Sequence, residues 1–65
     1  MKIGEYIIDI TALQYDLRDW YGKIIETDGE YVRVHYIPNN TIVWRSIYDL
    51  KIDKTKILEN YEKPK

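Results

Sequence analysis

The 65-residue sequence contains no cysteine, no phenylalanine, one histidine, three glycines and two prolines. Without cysteine, neither a disulfide nor a thiolate zinc site can form. Its longest apolar runs are two or three residues, far below the ~18 residues that a membrane-spanning helix requires. The opening residues MKIGEYIID also lack the apolar stretch of a secretion signal. We therefore expect an intracellular protein without a membrane span.

The composition that remains is typical of a small folded domain. Charged residues make up 32% and hydrophobic residues 45% of the chain, and its aromatic residues are seven tyrosines and two tryptophans. This balance is typical of globular proteins, whereas disordered segments have few aromatic residues. The formal net charge of −1 argues against a basic footprint for nucleic acid over the whole domain.

Period-2 alternation predicts four β-strands in the first 46 residues. In the run from Glu5 to Thr11, the side chains of Tyr6, Ile8 and Ile10 are expected on one face, with Asp9 on the other. Residues 12–19 follow no clear period and indicate a loop that includes one helical turn. The next three strands are predicted at residues 20–27, 30–37 and 41–46, the first two of them joined as a hairpin by the pair Asp28-Gly29.

The same alternation assigns faces to the third and fourth strands. Val32, Val34 and Tyr36 are expected to point inward, with Arg33 and His35 toward solvent. In the fourth strand, Ile42 and Trp44 are expected on one face, with Val43 and Arg45 on the other. Because tryptophan buries a large apolar area, Trp44 is expected in the core rather than in a ligand site.

The remaining residues complete a single small domain. Residues 46–49 predict a tight turn or one turn of 3₁₀ helix, followed by a fifth strand at residues 50–52. Five short antiparallel strands favour closure into a barrel, because closure removes exposed strand edges. The prediction is an all-β, five-stranded antiparallel barrel at residues 1–53, with a C-terminal tail at residues 54–65 that is a short helix or frays.

The segments WYGKIIETDGEYVRVHY and TIVWRSIYDLKI resemble the Tudor and chromo-barrel domains of the SH3-like β-barrel class. Those domains have an aromatic residue before the second strand, a V-H-Y-like third strand, and a tryptophan in the fourth strand before a turn that ends in leucine. The matching residues here are Trp20 or Tyr21, Val34-His35-Tyr36, Trp44 and Leu50. The resemblance covers about residues 4–52, and it is more specific for fold than for function.

The resemblance implies a non-catalytic module that recognises a peptide or protein partner. Such modules often bind methylated lysine or arginine in an aromatic cage, by cation–π attraction of about 0.5–2 kcal/mol for each ring. The residues that the resemblance assigns to a ligand pocket are Tyr15, Trp20, Tyr36 and Trp44. Because two or three rings give at most about millimolar affinity, flanking contacts to the peptide or to Asp16 and Asp19 are also expected.

Two alternatives to peptide recognition remain open. Lys23, Arg33 and Arg45 are predicted to project outward beside Tyr21, Tyr31 and His35, which makes a small basic and aromatic face for weak nucleic-acid binding. The simpler interpretation is a solvated sheet face with cross-strand ion pairs to Glu26 or Glu30. The second alternative is a structural accessory subunit that docks on a larger complex.

The sequence offers little for catalysis. His35 has no cysteine or second histidine nearby for a metal site, and no serine or cysteine nucleophile spaced beside it. The acidic residues have no EF-hand spacing, and the glycines are too scattered for a phosphate-binding loop. We therefore expect no enzyme activity, no cofactor and no metal.

Overall fold

A computed structural model describes residues 1–53. The predicted tail at residues 54–65 lies outside the described residues. Six regular elements and one 3₁₀ turn follow in chain order: β1 (Tyr6–Asp9), α1 (Ile10–Gln14), β2 (Tyr21–Asp28), β3 (Tyr31–Tyr36), β4 (Thr41–Ser46), the 3₁₀ turn (Ile47–Asp49) and β5 (Leu50–Ile52). The predicted fourth strand, 3₁₀ turn and fifth strand are confirmed.

The five strands form one antiparallel sheet in the order β4-β3-β2-β1-β5. The all-β, five-stranded antiparallel prediction is confirmed. The predicted barrel closure is not found, because within residues 1–53 strand β4 pairs only with β3 and strand β5 only with β1. The sheet is therefore open, with β4 and β5 at its two edges.

The predicted β2–β3 hairpin is found, with its two-residue loop one position later than the predicted Asp28-Gly29. Asp28 pairs with Tyr31, so Gly29 and Glu30 form a two-residue loop. Gly29 has φ of 60°, and a positive φ at the first loop position alone is the pattern of a type II′ turn. Glycine adopts this conformation without the steric penalty that a Cβ would bring.

A β-bulge in β2 changes which residues face the core. Ile24 pairs with Val34 and Glu26 with Arg33, so that Ile25 is the extra residue between them. Residues two positions apart in a regular strand point to the same face of the sheet. Because of the extra residue, Ile24 instead lies on the buried side of the sheet and Glu26 on the other.

The core lies on one side of the sheet, which we call the inner face. It consists of six buried side chains, against which Val43 and Ile47 pack: Ile7, Ile24, Val32, Val34, Tyr36 and Leu50. The predicted inward orientation of alternate β3 residues is confirmed, since Val32, Val34 and Tyr36 are all at most 1% exposed.

The face predicted for β1 is wrong. Ile7 and Asp9 are buried at 0% and 3% exposure, whereas Tyr6 and Ile8 are only half-buried. Because Ile7 and Ile8 are adjacent and both apolar, either of them could face the core. The hydrogen bonds of Asp9 described below favour the observed orientation, in which Ile7 does. The strand also ends earlier than predicted, because Ile10 starts α1 and is exposed.

The core position predicted for Trp44 is also wrong. Val43 pairs with Val34 and therefore shares its inner face, which turns Ile42 and Trp44 outward. Ile42 is 48% and Trp44 44% exposed. Three consecutive apolar residues fit either face of a strand, so the pairing with β3 decides which of them is buried.

Candidate functional site

Three large apolar side chains are exposed together on the outer face of the β3–β4 hairpin. We call Tyr31, Ile42 and Trp44 the outer patch. Tyr31 is 57% exposed, the largest fraction of the three. Trp44 lies directly opposite Arg33 and Ile42 opposite His35, so a cation and an imidazole lie beside the patch. Tyrosine, tryptophan and arginine are the residues most enriched among binding hot spots.

The cations of the outer face have only weak partners. Arg33 Nη1 lies 3.4 Å from Glu26 Oε1, and both side chains are about half exposed. Exposed ion pairs of this kind contribute about 0–1 kcal/mol, so Arg33 can exchange Glu26 for another acceptor at little cost. Lys23 Nζ lies 5.6 Å from the centroid of the Tyr6 ring.

Asp9, Tyr36 and Arg45 form a hydrogen-bonded network on the inner face. The Tyr36 hydroxyl donates to Asp9 Oδ2 at 2.5 Å, and Arg45 Nε donates to the Tyr36 hydroxyl at 3.2 Å. Arg45 Nε also lies 3.6 Å from Asp9 Oδ2. The other carboxylate oxygen of Asp9 accepts from the backbone N–H of Ala12 at 3.0 Å, which caps the N-terminus of α1. One buried carboxylate thus joins three elements.

This network alters the acid–base behaviour of its members. Burial, followed by the hydrogen bond to the Asp9 carboxylate, raises the pKa of the Tyr36 hydroxyl far above its ordinary value. The hydrogen bond to the Tyr36 hydroxyl raises the pKa of the Arg45 guanidinium, against the effect of burial. Tyr36 therefore stays protonated in the folded chain at pH values where an unfolded tyrosine ionises.

The raised pKa of Tyr36 predicts a loss of stability at high pH. The unfolded chain releases the Tyr36 proton near pH ~10 while the folded chain retains it, so the free energy of unfolding falls above that pH by up to about 1.4 kcal/mol per pH unit. Urea unfolding of the wild type and of Tyr36→Phe between about pH 8 and about pH 11 measures this. We expect the difference in the free energy of unfolding between the two proteins to shrink as pH rises. If this free energy changes with pH in the same way in both proteins, the raised pKa of Tyr36 is contradicted.

A polar pocket of about 350 Å³ lies beside the network. Its lining combines residues of β1, α1, the following loop, the turn before β4, β4 itself and the 3₁₀ turn: Asp9, Thr11, Ala12, Leu17, Arg18, Asp19, Asn39, Arg45 and Asp49. The loop and the β3–β4 turn are joined by a hydrogen bond of 3.1 Å from the Asn39 N–H to Asp19 Oδ1. The predicted aromatic residues Tyr15, Trp20, Tyr36 and Trp44 do not line this pocket.

The structure does not bring all four residues assigned to an aromatic cage together, because two of them lie on opposite faces of the sheet. Tyr15 is 67% exposed after α1, and the Trp20 ring centroid lies 4.5 Å from that of Tyr21. Tyr36 is 1% exposed and points inward. Trp44 points outward, so Tyr36 and Trp44 lie on opposite faces of the sheet and cannot line the same pocket.

The residues assigned to the alternative nucleic-acid surface also lie on two different faces of the sheet. Lys23 pairs with His35 and Arg33 with Trp44, which places both cations on the outer face, together with Tyr21 and Tyr31. Arg45 pairs with Val32 and turns to the inner face, toward Asp9. The prediction that Arg45 projects outward with the other two cations is therefore wrong.

His35 has a local role. Its Nε2 shares a hydrogen bond with Asn40 Oδ1 in the turn before β4, where Asn40 adopts a positive φ of 57°. Within residues 1–53, no group of three or more histidine, aspartate or glutamate side chains is placed to hold a metal ion.

Sequence reasoning missed Asp9 as a key residue. The usable signal was an aspartate directly before a short helix, which is the preferred N-cap position. Its second role, as acceptor for a tyrosine 27 positions along the chain, has no local signal.

Within the described part of the chain, no helix is long and apolar enough to cross a membrane. Comparisons with protein-family models, with curated proteins and with solved structures found no match.

Proposed function

We propose that this chain is a non-catalytic binding module that recognises a peptide or protein partner through the outer patch. The observation that carries the proposal is the exposure of Tyr31, Ile42 and Trp44 on neighbouring strands while six smaller or similar side chains fill the core behind them. Single exposed apolar residues are common, but adjacent ones rimmed by polar groups are typical of interaction sites.

The resemblance to Tudor and chromo-barrel domains supports recognition of a partner. We include in the proposal that the open sheet belongs to the SH3-like class, since Trp44 in β4 is followed by a 3₁₀ turn and Leu50, in the order that the resemblance implies. The proposed site differs from the cage, because Tyr36 is buried and its hydroxyl is bonded to Asp9.

Selection of a displayed random peptide library on the immobilised protein tests the proposal. We expect the selected peptides to bind Trp44→Ser and Tyr31→Ser at least about tenfold more weakly than the wild type, as for hot-spot residues. The matched control is Tyr15→Ser, because Tyr15 is as exposed as Tyr31 but lies in the loop after α1.

Two results would overturn this proposal. One is a library that enriches no peptide on the wild type over Trp44→Ser. The other is a set of peptides whose binding depends on Tyr15 and not on Trp44, which would return the site to the loop. Circular dichroism of each variant verifies that the fold is retained.

A second candidate is weak binding of single-stranded nucleic acid by the same face. Lys23, Arg33 and His35 lie beside Tyr31 and Trp44, which combines cations with stacking surfaces. With three permanent cations among the described residues of this face, Lys23, Arg33 and Lys51, we expect a small salt dependence and affinity only at low salt. Fluorescence anisotropy of a labelled oligothymidine, at two salt concentrations, measures both; absence of binding at low salt removes this candidate.

A further inference from the structure

Strand β4 has one edge that pairs with no other strand of the described residues. Within residues 1–53 it pairs only with β3, and no backbone hydrogen bond joins it to any other element. Its six residues, TIVWRS, include no lysine, no proline and no bulge, the features that commonly protect an edge strand. The other edge, β5, is only three residues long and gives a much poorer template.

The side chains along this edge differ between its two faces. On the outer face, Ile42 and Trp44 are about half exposed. On the inner face, Arg45 has a side chain that is 48% exposed, and its Nε is the atom that contacts Tyr36 and Asp9. Because the guanidinium has five N–H donors and its side chain is half exposed, it can bind a further acceptor.

The charges of the hairpin favour an acidic partner. Neither β3 nor β4 contains an aspartate or a glutamate, whereas the two strands carry Arg33 and Arg45. A segment added beside β4 places alternate side chains next to Ile42 and Trp44, and an intervening one next to Arg45.

We propose that the partner binds as an extended segment that adds to the free edge of β4 as a sixth strand. It carries apolar side chains opposite Ile42 and Trp44 and an aspartate or glutamate opposite Arg45. Backbone hydrogen bonds then provide affinity and the alternating side chains provide specificity. This inference rests on the proposed function and names the mode and the chemistry of recognition at that site.

A second copy of the chain fits this edge less well. In an antiparallel pair of β4 strands centred on Val43, Arg45 of each copy would face Thr41 of the other. Centring the pair on Trp44 would place Arg45 opposite Val43. Neither register supplies an acid, and a six-residue strand pair is small beside the ~1,200 Å² of a stable interface.

The test uses the full chain with Trp20→Phe, which leaves Trp44 as the single tryptophan reporter. The probe is the capped peptide Ser-Glu-Val-Thr-Val-Glu-Ser, which reads the same in both directions and so serves a parallel or an antiparallel strand. We expect a blue shift of Trp44 fluorescence, slowed amide exchange in β4, and binding at least about tenfold weaker when both glutamates are replaced by lysine.

Two N-methylated peptides separate strand addition from side-chain contact alone. One is methylated at the backbone nitrogens of the valines, and the other at those of the glutamates and the threonine. Because successive N–H groups point to opposite edges of a strand, each peptide loses the N–H groups of one edge. Only one side faces β4 in a strand pair. We expect one of the two peptides to lose binding and the other to keep it.

Five outcomes would overturn the inference. Equal binding of both methylated peptides would leave side-chain recognition at the outer patch, so the proposed function would stand. If library-selected peptides bind while the acidic probe does not, the inference is overturned and the proposed function again stands. Tighter binding of the lysine peptide would contradict the charge argument. A concentration-dependent mass in sedimentation, abolished by a proline at Val43, would assign the edge to a second copy. Failure of both probe and library would overturn the proposed function as well.

Discussion

Replacing Asp9 with alanine is expected to lower the free energy of unfolding by about 3 kcal/mol or more. The substitution removes the N-cap of α1, which alone contributes about 1 kcal/mol, and leaves the Tyr36 hydroxyl and the Arg45 guanidinium without their shared carboxylate. Without the Asp9 carboxylate the O–H of Tyr36 has lost its buried acceptor, which typically costs about 1–3 kcal/mol, whereas the half-exposed Arg45 can be solvated. A single core of this size supplies only about 3–5 kcal/mol in total, so the variant should be largely unfolded at room temperature.

Urea unfolding followed by circular dichroism measures this effect, and Asp49→Ala is the matched control. Asp49 lines the same pocket but is exposed and does not cap α1, so its replacement should change stability little. Tyr36→Phe should fall between the two, because it removes one hydroxyl and keeps the ring in the core. An Asp9→Ala protein as stable as Asp49→Ala would show that the network does not stabilise the fold.

Local sequence signals were sufficient for the number of strands and for the bounds of the last two. The Asp28-Gly29 pair predicted the β2–β3 hairpin to within one residue, and the residues of β4 and β5 were predicted with their observed bounds. In each case the information lies within a few neighbouring residues, as for a glycine that can adopt a positive φ.

The faces of β1 and β4 could not be predicted with the same information. Ile7-Ile8 and Ile42-Val43-Trp44 are consecutive apolar residues, so period-2 alternation does not choose between two registers. The choice depends on the partner strand, since Val43 packs against the core because it lies opposite Val34. Closure of the sheet is likewise a property of distant edges, which no local pattern specifies.

The faces on which the candidate site residues lie could not be predicted for a related reason. The sequence grouped Tyr36 with Trp44 because both are aromatic, but their strand positions place them on opposite faces. Tyr36 is buried in the core, where its hydroxyl donates to Asp9 in β1, and Trp44 is part of the exposed outer patch. Residue type predicted that aromatic side chains matter here, whereas strand register decided which of them can reach a ligand.

Introducing a methyl group at Gly22 should destabilise the fold about as strongly as the loss of Asp9. A Cβ at this position would lie 2.5 Å from the backbone oxygen of His35 and 2.8 Å from Val34 Cγ1. The oxygen belongs to the neighbouring strand of the ladder, so it cannot move aside without separating β2 from β3. We expect Gly22→Ala to cost about 3 kcal/mol, at the upper end for an overpacked core.

Gly29→Ala is the control, because it tests the backbone conformation of a glycine without a clash. Gly29 has a positive φ, but no atom lies within 4 Å of the position that a Cβ would take. Alanine there should therefore lower the free energy of unfolding by only about 1–2 kcal/mol. Thermal unfolding compares the two variants, and each kcal/mol lowers Tm by about 4–8 °C in a domain of this size. Equal losses in Tm would mean that β2 and β3 can separate cheaply at Gly22.

The position of Gly22 also connects this prediction to the Asp9 network. Register places Ile7, Gly22 and Tyr36 in one row across β1, β2 and β3. The hydrogen bond from Tyr36 to Asp9 spans the same three strands, so a wider gap between β2 and β3 should weaken it. In a Gly22→Ala protein that still folds, further replacement of Tyr36 by phenylalanine should therefore cost less than it does in the wild type. A double-mutant cycle measures this coupling, and strict additivity would show that the two sites are independent.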